Sequence, residues 1–166
     1  HIYLEGFSKE KKVYFDNFGY GLIMIDSVGN IDSVRGTYLR STLIIDNCVI
    51  RDGLEAITVE DGGKLILRNS TLSNNYIGLQ IVSDTYAGMI DSDSKIYGNT
   101  FIGGNLLPQN TELSYTESYI GVNIANQRFT AINGKLTVSS HFPNHFENLK
   151  IGIKSVDSDL QANLNI

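Results

Sequence analysis

Residues Leu43 to Ile81 read LIIDNCVIRDGLEAITVEDGGKLILRNSTLSNNYIGLQI, and the stretch holds one pattern written twice. A shift of 22 residues sets Leu43 on Leu65, Ile45 on Leu67, Asn47 on Asn69, Ile50 on Leu72, Ile57 on Leu79 and Val59 on Ile81. Within each copy the apolar residues stand two apart in short bursts, which is the period of a strand and not of a helix. The bursts are broken by Asn47, Asp52-Gly53 and Asp61-Gly62-Gly63. These are turn formers for separate reasons: glycine accepts positive φ, while Asn and Asp bond their own backbone. Three very short strands and three turns in about 22 residues describe one coil of a parallel β-solenoid.

A lone unit of this kind cannot bury its apolar side. Stacked copies pair strand on strand at roughly 4.8 Å and enclose a continuous core. Equivalent side chains then form ladders, aliphatic at 43/65, 45/67, 50/72, 57/79 and 59/81 and amide at 47/69. An Asn in a turn directly above another Asn can donate and accept along the stack, which predicts a side-chain ladder between Asn47 and Asn69.

The chain has 166 residues, 42% of them hydrophobic, enough to fill one domain. Its single cysteine, Cys48, excludes an internal disulfide; it aligns with Ser70 and reads as a small residue lining the coil. A formal charge of −5 and a pI near 5.1 argue against nucleic acid as the main partner, because affinity there comes from Lys and Arg neutralising phosphates. There is no run of about 18 apolar residues, hence no membrane span of that kind. The first residue is His1 and no signal peptide is visible.

Taken in order, the chain opens with alternation at Ile2 and Leu4 and a basic cluster, Lys9, Lys11 and Lys12, which reads as a solvated turn. Gly21-Leu22-Ile23-Met24 aligns with Gly78-Leu79-Gln80-Ile81, and the residues up to Thr42 read as a long turn. A Gly/Ala-x-x-x-aliphatic marker recurs at Gly21, Ala56, Gly78, Gly121 and Gly152, at intervals of 35, 22, 43 and 31. Only one interval is a bare coil, so the others carry loops, which lengthen a turn without disturbing the stack. The interval of 43 is close to two coils, but it holds only one strand-turn-strand signature, Ile96 to Phe101. One coil with an insertion at Gly103 to Tyr119 is therefore expected. Asn144 to Asn148 repeats the turn and core residue of Ser70 to Asn74, and Leu160 to Ile166 alternates like the start of a further coil. The whole, residues 1–166, reads as a single segment of about five coils from a longer protein.

The phrases LIIDNCVIRDGLEAITV, LILRNSTLSNNYIGLQI, IYGNTFIGG and NHFENLKIGIKS resemble the right-handed parallel β-helix, or pectin-lyase-like, family. The N-S-T-hydrophobic-x-N-N-x-x-G-aliphatic cadence looks like β-helix regions of large secreted and surface proteins of Bacteroidota, often exported by type IX secretion. The resemblance covers most of Leu43 to Ile153 and only loosely the first 40 residues. It implies an all-β fold and says little of activity, since one fold hosts many functions.

Enzymes of the polygalacturonase type in that family carry N-T-D, D-D, H-G and R-I-K motifs, and none occurs here; Gly152-Ile153-Lys154 echoes only the last. The D-P-H cluster of alginate epimerases and lyases is also missing. Glycoside hydrolysis needs two carboxyls about 5 to 9.5 Å apart. The coil alignment yields no matched acid pair, and Asp46 falls opposite Arg68, which reads as a surface ion pair worth little. His141 and His145 stand four apart, a spacing that brings them together on a helix and not in an extended chain, and His145 falls at a turn. Asp91-Ser92-Asp93 and Asp157-Ser158-Asp159 each offer two carboxylates to Ca²⁺, but without an EF-hand or nonapeptide frame they read first as turn caps. Catalytic and metal residues are thus not assigned.

The insertion is the candidate binding surface. It carries Glu112, Tyr115, Glu117 and Tyr119, whose rings and carboxylates can stack on and hydrogen-bond to sugars; Leu106, Leu107 and Tyr115 can equally fold back over the flank of the helix. The function expected is a non-catalytic segment of a secreted or cell-surface protein: a stalk, adhesin or carbohydrate-contacting module. The competing readings are part of a polysaccharide lyase or glycoside hydrolase, and cargo bound to secretion machinery. Partners would be a polysaccharide or cell-surface ligand, together with whatever covers the ends of the stack.

Overall fold

A computed structural model describes residues 2–5, 13–16, 20–25, 31–32, 37–38, 42–60, 63–82, 94–104, 120–125, 136–138, 142–158 and 160–162. Among these residues there are strands and turns and no helix. Three parallel sheets account for all but two strands. The first contains β1 (Ile2–Glu5), β6 (Thr42–Asp46), β9 (Lys64–Arg68), β12 (Lys95–Tyr97), β15 (Leu136–Val138) and β18 (Leu160–Ala162), side by side in that order. The second contains β2 (Val13–Asp16), β7 (Cys48–Arg51), β10 (Thr71–Ser73), β13 (Thr100–Ile102) and β16 (His145–Glu147). The third contains β3 (Tyr20–Ile25), β8 (Glu55–Glu60), β11 (Ile77–Val82), β14 (Ile120–Ala125) and β17 (Ile151–Val156). The chain therefore visits first, second and third sheet in turn, five times over, and β18 returns to the first.

The register is the one the 22-residue shift predicts. Leu43 pairs with Leu65 and Ile45 with Leu67, Ile50 with Leu72, and Ile57 with Leu79 and Val59 with Ile81. These ten side chains are all buried and belong to one core. Later rounds extend the same rows with Ile96, Phe101, Val122 and Ile124. The Phe101 and Phe146 rings stack with centroids 5.0 Å apart and planes 9° from parallel. Each fully buried side chain of this size contributes roughly 1.5–3 kcal/mol, so the rows are the main source of stability.

The Gly/Ala marker occupies the second position of β3, β8, β11, β14 and β17. At Gly78 and Gly121 the reason is space: a Cβ would stand 2.7 Å from the carbonyl oxygen of the glycine one round later and 2.9 Å from Cδ1 of Phe101 or Phe146 respectively. The interval of 43 residues between Gly78 and Gly121 holds one round, made by β12 and β13.

Asn47, Asn69 and Gly98 follow paired strand ends at the first corner with φ of 54°, 52° and 65°, and Asp52, Asn74 and Asn148 do the same at the second with 62°, 53° and 54°. This left-handed conformation costs most residues about 1–2 kcal/mol, and Asn, Asp and Gly tolerate it best.

Asn69 Nδ2 donates 2.8 Å to Asp46 Oδ1, and Asn47 and Asn69 occupy their turn because of backbone conformation. A buried ladder runs one residue further on. Ser70 Oγ accepts from Cys48 N (3.1 Å), Asn99 Oδ1 from Ser70 N (3.0 Å), and Asn144 Oδ1 from Asn99 N (3.0 Å). The amide groups also grip the round before, Asn99 Nδ2 donating to Leu67 O and Asn144 Nδ2 to Ile96 O, each at 2.9 Å. Asn75 does the same at the second corner, accepting from Gly53 N and donating to Ile50 O, and Ser94 Oγ accepts from Leu65 N at the third. Turns buried inside a stack would otherwise strand their N–H and C=O groups.

Two further differences concern local structure. The expected long turn before Thr42 contains a short antiparallel pair, β4 (Ile31–Asp32) with β5 (Thr37–Tyr38). His145, expected at a turn, opens β16 and pairs with Thr100. The turn residue is its neighbour Asn144, because the positions of Ser70 and Asn99 fall there.

Candidate functional site

The most connected group of polar side chains lies at the end of the first sheet. Asp46, Arg68 and Tyr97 stand in register on β6, β9 and β12. Asp46 Oδ2 accepts from Arg68 Nε at 2.7 Å, its Oδ1 accepts from Asn69 Nδ2, and Arg68 Nη1 donates to the Tyr97 hydroxyl at 3.2 Å. The Asp46 side chain is only 10% exposed and that of Arg68 33%, so the expected surface ion pair is a partly buried one. The reason is the cross-round bonding, which draws Tyr97 and Asn69 around it. The Tyr97 hydroxyl, and after it Asp46, hold the Arg68 guanidinium still more firmly protonated than usual. Both Asp46 oxygens are engaged, Oδ2 by Arg68 and Oδ1 by Asn69, which ties β6 to β9 and to the turn after it.

The register also pairs Glu5 of β1 with Asp46, an acid match between successive rounds that the alignment of the sequence did not yield. The first round has no 22-residue spacing from the second, since 41 residues separate Glu5 from Asp46. Only strand pairing reveals it.

A second group lies on the second sheet. Arg51 holds Asp16 through two bonds, Nε to Oδ1 at 2.8 Å and Nη2 to Oδ2 at 3.1 Å, and its Nε also lies 3.7 Å from Asp52 Oδ2. The bidentate bond lowers the Asp16 carboxyl below its ordinary value although the site is exposed. Asp52 Oδ1 accepts from Asn74 Nδ2 at 2.6 Å, which ties the pair to the next turn.

No family model, curated protein or solved structure matches the chain. Any functional reading therefore rests on the residues themselves.

The third sheet presents a row of Thr58, Gln80, Asn123 and Lys154, one per strand. Asn123 Nδ2 donates to Gln80 Oε1 at 2.9 Å and Thr58 Oγ1 to Glu55 Oε2 at 2.7 Å. Asn123 Oδ1 is closed to solvent and has no partner among the described residues.

Glu112, Tyr115, Glu117 and Tyr119 lie outside the described residues, as do Lys9, Lys11, Lys12, Asp91, Ser92, Asp93, His141 and Asp159. Asp157 has a φ of 49° and Ser158 Oγ donates to Val156 O at 2.8 Å, the geometry of a turn. His145 Nε2 lies 3.5 Å from Glu147 Oε2 on an exposed face. Among the described residues no three His, Cys, Asp or Glu side chains group as metal ligands, and no helix is long and apolar enough to cross a membrane. Cys48 lines the core, its Sγ 3.3 Å from Asp46 O, and burial pushes its thiol pKa up.

Proposed function

We propose that the chain is a stretch of right-handed parallel β-helix of the pectin-lyase-like kind, about five coils long. In this reading it serves as a rigid, non-catalytic segment of a secreted or cell-surface protein, a stalk or adhesin that meets carbohydrate through its side faces and inserted loops. The observation that carries the reading is the order of the strands. Three parallel sheets visited in rotation, with aliphatic residues repeated along the inward rows, are what stacked coils require. The hand follows from the strong preference of parallel crossovers for the right-handed sense. The non-catalytic part is supported by four of the carboxylates among the described residues: Asp16 and Asp46 are bound to arginines, Asp52 to Asn74 and Glu55 to Thr58.

A second reading, a polysaccharide lyase or glycoside hydrolase, is favoured by one observation, the Glu5–Asp46 register beside Arg68 and Tyr97. Incubation with a panel of neutral and acidic polysaccharides, followed for new reducing ends and unsaturated products, separates the two. The structural reading expects no product with any member of the panel and retention of the protein on at least one immobilised polysaccharide. Turnover that disappears in Asp46→Asn would overturn it in favour of the enzyme.

A further inference from the structure

We draw no further inference here: the strongest candidate, the partly buried apolar edge of β16 and β17 at Phe146, Leu149 and Ile153, has no neighbouring strand among the described residues, and nothing in the structure shows what covers it.

Discussion

Replacing Asn99 by leucine tests the buried ladder directly. The amide is buried and makes three bonds, accepting from Ser70 N and donating to Leu67 O and Asn144 Oδ1. Leucine has the same branched arrangement of side-chain heavy atoms and makes none of them. Two backbone groups, Ser70 N–H and Leu67 C=O, are then stranded between rounds, at about 1–3 kcal/mol each. The added apolar burial offsets roughly 1 kcal/mol. A net loss of about 3 kcal/mol is expected, a large part of the ~5–15 kcal/mol that holds a domain together. With a urea dependence of ~1–3 kcal/mol per molar, the unfolding midpoint should fall by about 1–3 M. Asn99→Ser is the control, because Ser70 fills the same place one round earlier, its Oγ accepting from Cys48 N and donating to Arg68 O. It should lose only about 1 kcal/mol, one net hydrogen bond. Urea unfolding followed by circular dichroism gives the magnitudes, and amide exchange at Ser70 gives the place. An Asn99→Leu protein within ~0.5 kcal/mol of the parent, or one whose Ser70 amide keeps its protection, would refute the reasoning.

Asn69→Gly should be tolerated within ~1 kcal/mol, since Gly98 holds the equivalent left-handed position, whereas Asn69→Leu should cost about 1–3 kcal/mol from backbone conformation and the lost bond to Asp46, measured in the same urea titration. Gly78→Ala should destabilise by about 1–3 kcal/mol because its Cβ meets the Gly121 carbonyl, while Gly152→Ala, whose Cβ meets only Phe146 at 3.5 Å or more, should unfold near the parent temperature. Cys48 should resist alkylation at neutral pH and react at once in denaturant, followed by intact mass; rapid labelling of the folded protein would contradict its burial. Asp16 should titrate below an ordinary aspartate by NMR, because Arg51 holds its carboxylate. Its folded value being depressed, it stabilises above the unfolded pKa and loses that contribution as pH falls through the folded one, a limb that Asp16→Asn should flatten.

Much of this architecture was legible in the residues between 43 and 81. The shift of 22 predicted five aliphatic pairings that are all in register, because an inward side chain must match the one above it or leave a gap. The Gly/Ala marker was legible for the same reason. The polar ladder was not. Cys48, Ser70, Asn99 and Asn144 share a place but not a chemistry, so their kinship shows only in which backbone group each one serves. Asn47 and Asn69 share a left-handed φ, which the repeat of an Asn at that corner does express. Asp46 and Arg68 read as a surface pair because the sequence does not reveal that Tyr97 and Asn69 close around them. The candidate sugar-contacting residues fall in the insertion, where no repeat fixes a register.

The corners differ in what they permit. From second to third sheet the link is residues 52–54, 74–76 and 148–150 in three rounds, but 103–119 in the fourth, and from third to first it changes from 61–63 to 83–94 to 126–135. Strand pairing is indifferent to these lengths, and doubling a flexible link costs only about 0.6 kcal/mol. Surface can therefore be added at a corner while the register of the paired strands stays fixed. The rows of the core are thus set by the strands alone, and the links between them are free to differ from round to round.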